Sequence, residues 1–87
     1  MNADVPVFSC IVFVSPIDGG GGVRARVANL AGLESTAPSE REALAKIVRA
    51  FKQRVGELMH SKTPIPWVEP PSPAVPGEQQ RFIPVHL

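Results

Sequence analysis

Six of the chain's ten prolines, Pro64, Pro66, Pro70, Pro71, Pro73 and Pro76, fall between residues 63 and 77. No regular helix survives that density, because each proline removes a backbone donor and clashes with the preceding turn. A central strand fails there too, because the ladder loses its donors. The stretch, taken as residues 63–80, is therefore a connector, with extended polyproline II as its natural local conformation. At 87 residues the chain makes one domain, taken as 1–87. A chain this short buries only about 60 per cent of its unfolded surface, so every apolar pattern outside the connector has to serve one small core.

Those patterns predict five elements. Residues 7–15 hold Val7, Phe8, Cys10, Ile11, Val12, Phe13 and Val14, a β-branched and aromatic run that is apolar on both faces. Such a run predicts a central strand, or one whose second face meets another molecule. Asp18 and the glycines 19–22 then make a turn. In residues 23–29, Val23, Ala25 and Val27 point one way and Arg24 and Arg26 the other, which completes a hairpin. A short third strand is predicted at 33–37. Pro38, and Ser39 with Glu42 three residues on, predict a capped helix over 39–60. Leu44, Ile47, Val48, Phe51, Val55, Leu58 and Met59 form its apolar stripe. A last strand follows at 81–87, placed at an edge because Pro84 cannot donate to a ladder. One helix stripe on one sheet face gives a two-layer α+β sandwich, β-β-β-α-β, with strand order three-two-one-four. If the last strand returns beside the first, the crossover rule makes it parallel and the sheet mixed.

Charge and side-chain chemistry exclude several functions. A formal net charge of +1 gives no electrostatic footprint for nucleic acid. Arg24 and Arg26 share a strand face, but no aromatic residue interleaves with them to stack bases, so a solvated face is the simpler reading. The single cysteine, Cys10, sits in the apolar run and reads as a small buried hydrophobe. The first strand carries no carboxylate from Val7 to Val14; Asp4 precedes it and Asp18 lies in the turn. Two-cation phosphodiester cleavage needs clustered carboxylates, so the chain is not expected to be an enzyme. His60 and His86 lack partners at ligand spacing, and the glycine run lacks a following Gly-Lys-Ser/Thr, so no metal and no cofactor are expected. The apolar run is too short to span a bilayer, and it lacks the basic flank of a signal peptide. A cytoplasmic protein without membrane contact is therefore expected.

Residues 28–44, Ala28-Asn29-Leu30-Ala31-Gly32-Leu33-Glu34-Ser35-Thr36-Ala37-Pro38-Ser39-Glu40-Arg41-Glu42-Ala43-Leu44, resemble the signature of the HicB antitoxin family. That signature reads Pro-Asp-Leu-Pro-Gly-Cys, a short strand, Gly-Asp-Thr, then Glu-Glu-Ala-Leu opening a helix. Asn29, Leu30, Gly32, Ser39, Glu42, Ala43 and Leu44 match it or substitute closely, and Ile83-Pro84-Val85 is similar to the family's final strand. Ala28, Ala31 and Leu33 depart from it, as does Ala37-Pro38. The resemblance implies a partial ribonuclease-H-like domain that oligomerises, usually starting with a dimer, and masks a HicA-type toxin, a small ribonuclease. Many members add a carboxy-terminal DNA-binding segment. No second helix pair follows the last strand here, so direct DNA binding is not expected.

A binding protein of this kind needs a partner surface. Phe8, Cys10, Val12, Val14, Trp67, Phe82 and Val85 are the residues expected to form it, with the first and last strands as oligomer edges. Trp67, the one tryptophan, either caps the core or anchors an interface, and it is expected to wrap a neighbouring subunit together with the connector. Two further readings stay open: an RNA-binding module using Arg24 and Arg26, and a stand-alone homo-oligomer.

Overall fold

The computed structural model describes residues 6–87. In chain order they form β1 (Val7–Pro16), a 3-10 turn (Asp18–Gly20), β2 (Val23–Val27), β3 (Glu34–Ala37), α1 (Glu40–His60) and β4 (Gln79–His86). The strands make one sheet in the order β3-β2-β1-β4, with α1 on one face. This is the α+β class and strand order read from the sequence. β1 is central, flanked by β2 and β4; α1 covers one of its faces, and on the other Arg26 lies over Phe13.

The direction of β4 departs from the expectation. It pairs antiparallel to β1, from Val14↔Gln79 to Val7↔His86, so the sheet is antiparallel throughout and not mixed. The crossover rule holds where a helix leads straight into its strand. Here β3 runs with β1 and α1 runs back, so a strand directly after α1 would lie parallel to β1. The proline-rich connector instead travels the sheet's length once more. It bridges Leu30 at Trp67, and the amides of Val68 and Ser72 donate to the Asn29 and Ala28 carbonyls, each at 3.0 Å. It then reaches Arg26 at Pro73 and Glu78. Having gone that far, the chain enters β4 from the opposite end.

The core lies between α1 and the sheet. Cys10, Val12 and Val14 of β1, Ala25 and Val27 of β2, Ala37 of β3 and Val85 of β4 meet Ala43, Ile47, Phe51 and Val55 of α1. Ser39 caps the helix as its sequence predicts, its Oγ accepting from the Glu42 amide at 3.2 Å. Met59, placed on the apolar stripe, is exposed, while Leu44 and Val48 are half-buried. Ile65 and Trp67 pack against the same core, with the Trp67 ring 5.8 Å from Phe8 and 6.0 Å from Phe51.

Candidate functional site

Side chains alternate across a strand, and the register sorts the expected partner residues onto two faces. Cys10, Val12, Val14 and Val85 point under α1 and are buried there. The expectation that they meet a partner is corrected: their face is the one the helix takes. Burial also pushes the Cys10 thiol up to about 12. Phe8 is half-buried on the same face, against Trp67. Trp67 closes the core of its own chain, so it is not free to wrap a neighbour. β1 is not an edge either, since both its sides are paired. Of the residues singled out for an interface, Phe82 alone stands exposed, at 65%.

The opposite face carries Val7, Ser9, Ile11 and Phe13 of β1, Arg24 and Arg26 of β2, and Phe82 and Pro84 of β4. Part of it lies under the connector. Arg26 Nε donates to Glu78 Oε2 at 2.7 Å, and Nη2 donates to Glu78 Oε1 at 2.7 Å and to the Pro73 carbonyl at 3.0 Å. The guanidinium sits 5.0 Å from the centre of the Phe13 ring, which is only 5% exposed. The Val75 amide donates to Glu78 Oε1 at 2.8 Å. The hydrogen bonds from Arg26, with a smaller share from Val75, bring the Glu78 carboxyl down to about 2. Arg26 is thus a clamp for the connector. It is not available to nucleic acid, which leaves Arg24 as the exposed cation of that pair.

The strap leaves one end of this face bare. Val7 is 52% exposed and pairs with His86, and farther along the same face Phe82 pairs with half-buried Ile11. Val7, Phe8, Ser9, Ile11, Trp67 and Val68 line a cavity of about 340 Å³ there. Asn29 supports its floor. Its side-chain amide donates to the Ser9 carbonyl at 2.8 Å, and its Oδ1 accepts from the Ile11 amide at 3.1 Å. It therefore continues the ladder of β1 past the end of β2, a role visible in the sequence only as an asparagine within a turn motif.

The same bonds orient the outer edge of β4. The Ile11 amide bonds to Asn29, and its carbonyl accepts from the Ala28 amide at 2.7 Å, so Ile11 directs both groups away from β4. Its partner Phe82 must then direct its own N–H and C=O outward. The alternation puts Gln80, Pro84 and His86 on the same free edge, and the donor that proline lacks falls where no ladder needs it.

Among the described residues no three His, Cys, Asp or Glu side chains gather as a metal site, and no helix is long and apolar enough to cross a membrane. Asp4 lies outside the described residues. In comparisons with family models, curated proteins and solved structures, nothing matches this chain.

Proposed function

We propose that this chain is a HicB-like antitoxin-type binding protein that acts in the cytoplasm by covering a small HicA-type ribonuclease toxin. One observation carries the reading: Phe82 stands exposed across from half-buried Ile11, with Pro84 and exposed Val7 following on the same face, on the part of the sheet that the strap leaves open. A contiguous apolar patch of this kind marks a binding surface on a small domain. The motif from Asn29 to Leu44 and the closing Ile83-Pro84-Val85 supply the resemblance that names the partner class. The action is stoichiometric: the patch is removed from water together with the toxin surface it covers, and a buried Phe82 contributes about 1.5–3 kcal/mol.

The test pairs the chain with a HicA-type ribonuclease and follows RNA cleavage as the ratio rises. Inhibition complete near one-to-one is expected, and Phe82→Glu should lose it while melting at nearly the parent temperature. Cleavage that persists at excess chain, or inhibition unchanged by Phe82→Glu, would sink the reading.

A stand-alone homo-oligomer is the second reading, favoured by the outward-facing backbone groups of Gln80, Phe82 and His86. Sedimentation of the chain alone separates the two: an oligomer that Phe82→Glu dissolves, with no toxin inhibited, supports the second. The RNA-binding reading keeps only Arg24 of its two cations, since Arg26 is clamped.

A further inference from the structure

A second surface lies on the helix side of the sheet. A shallow groove of about 640 Å³ runs between α1 and β4. Half-buried Leu44, Val48 and Ile83 line its apolar part. Arg41, Arg49 and Lys52, all exposed, line the rest. The helical positions 41, 44, 45, 48, 49 and 52 step by three, one, three, one and three, so they form one continuous stripe along α1. That stripe is not the one that meets the core; Ala43, Ile47, Phe51 and Val55 do that.

The charge of this groove is uncompensated. Among the described residues the two ion pairs use Arg26 and Arg81, and no described carboxylate lines the groove. Arg81 shows the contrast: it projects from β4 on the same side and is neutralised by Glu40, with Nε at 2.8 Å from Oε2. Three unpaired cations beside an aliphatic floor, in a chain whose net charge is only +1, are a concentrated positive feature. The free edge of β4 runs alongside.

We propose that this groove takes an extended acidic segment of a partner protein. The segment would add to the outer edge of β4 by backbone hydrogen bonds, set aliphatic side chains on Leu44, Val48 and Ile83, and bring carboxylates to Arg41, Arg49 and Lys52. Strand addition supplies affinity through the main chain, and the flanking surface selects the side chains. Charge complementarity selects against the alternatives. A small basic ribonuclease is repelled by these cations, so the groove is distinct from the open face proposed for it. A second copy fits poorly, because its β4 carries no carboxylate between Gln79 and His86. RNA would satisfy the cations, but the floor offers no aromatic ring on which a base can stack.

The test selects displayed random peptides on the immobilised full chain. Enrichment of Asp and Glu together with Ile, Val and Leu is expected, with binding that weakens as salt rises. The double variant Arg49→Glu/Lys52→Glu should weaken the selected peptides by about tenfold or more. Both positions are exposed, and a circular-dichroism melt checks that the variant folds; Arg41→Glu serves as an independent second variant. Basic or uncharged selected peptides, no enrichment, indifference to these variants, or displacement of the peptides by single-stranded RNA that needs the same cations would each overturn the proposal. Val7→Gln, on the open face and off the β4 edge, should leave peptide binding in place, which separates failure of the groove from failure of the open face.

Discussion

Glu78 fastens the strap, and its titration gives the first prediction. Its folded-state carboxyl sits at about 2, against an ordinary value of 4.5. The unfolded chain therefore binds the proton more readily, and the bond contributes stability that is present above 4.5 and lost as pH falls towards 2. Urea denaturation across that window should show stability falling with pH, and Glu78→Gln should flatten the fall. It should not abolish it, because hydrogen bonds from Arg81 lower the Glu40 carboxyl in the same direction. Two glycines make opposite predictions. Gly22 has φ +110, and a Cβ there would collide with the Ala37 carbonyl, so Gly22→Ala should cost about 1–3 kcal/mol. Gly56 lies within α1 with open space where a methyl would project, so Gly56→Ala should add roughly 1 kcal/mol. A calorimetric melt should separate the two, since about 1 kcal/mol moves the midpoint by about 4–8 °C in a domain of this size. Cys10, buried and with its thiol raised to about 12, should resist thiol reagents until the chain unfolds. A fast reaction in native buffer would contradict its place in the core.

The elements themselves were legible because each has a period. The alternation of Val23, Ala25 and Val27, the helical stripe from Leu44 to Leu58, and the Ser39 cap all appear where local physics puts them. The connector has no period, so its path was not legible, and that path decides the direction of β4. The same gap hid the site. β1 is apolar on both faces, and nothing local says which face α1 covers; Cys10, Val12 and Val14 went under the helix, leaving Val7, Ile11 and Phe82 for the other side. Asn29 and Glu78 gained their roles from partners 18 to 52 residues away, a separation that no window of sequence spans. Trp67 is the element-scale test of the strap. It is half-buried on Phe8 and Phe51, so Trp67→Ala should cost about 2–3 kcal/mol, below the roughly 3–5 kcal/mol of a fully buried aromatic. Denaturant unfolding measures that loss. An unchanged midpoint with a smaller sedimenting species would instead return Trp67 to an interface.

At the scale of the molecule, the sheet is a thin partition with a different surface on each side. One side is partly strapped, with Phe82 and Val7 exposed in its open part; the other carries the helix and the cationic groove. Phe82→Glu should therefore reduce binding of a hydrophobic dye while changing stability by no more than about 0.5 kcal/mol, as an exposed substitution does. The placement of β1 also bears on how the chain can be made. β1 precedes every other element in synthesis, yet one of its two flanks can be paired only by β4, from Val7↔His86 to Val14↔Gln79. Throughout synthesis the most apolar strand of the protein thus waits with an open hydrogen-bonding edge, and that edge invites aggregation. Chains halted before Gln79 should be captured by chaperones or precipitate, while chains that include His86 escape both. The codons for Gln79 to His86 are therefore the ones that make the nascent chain safe.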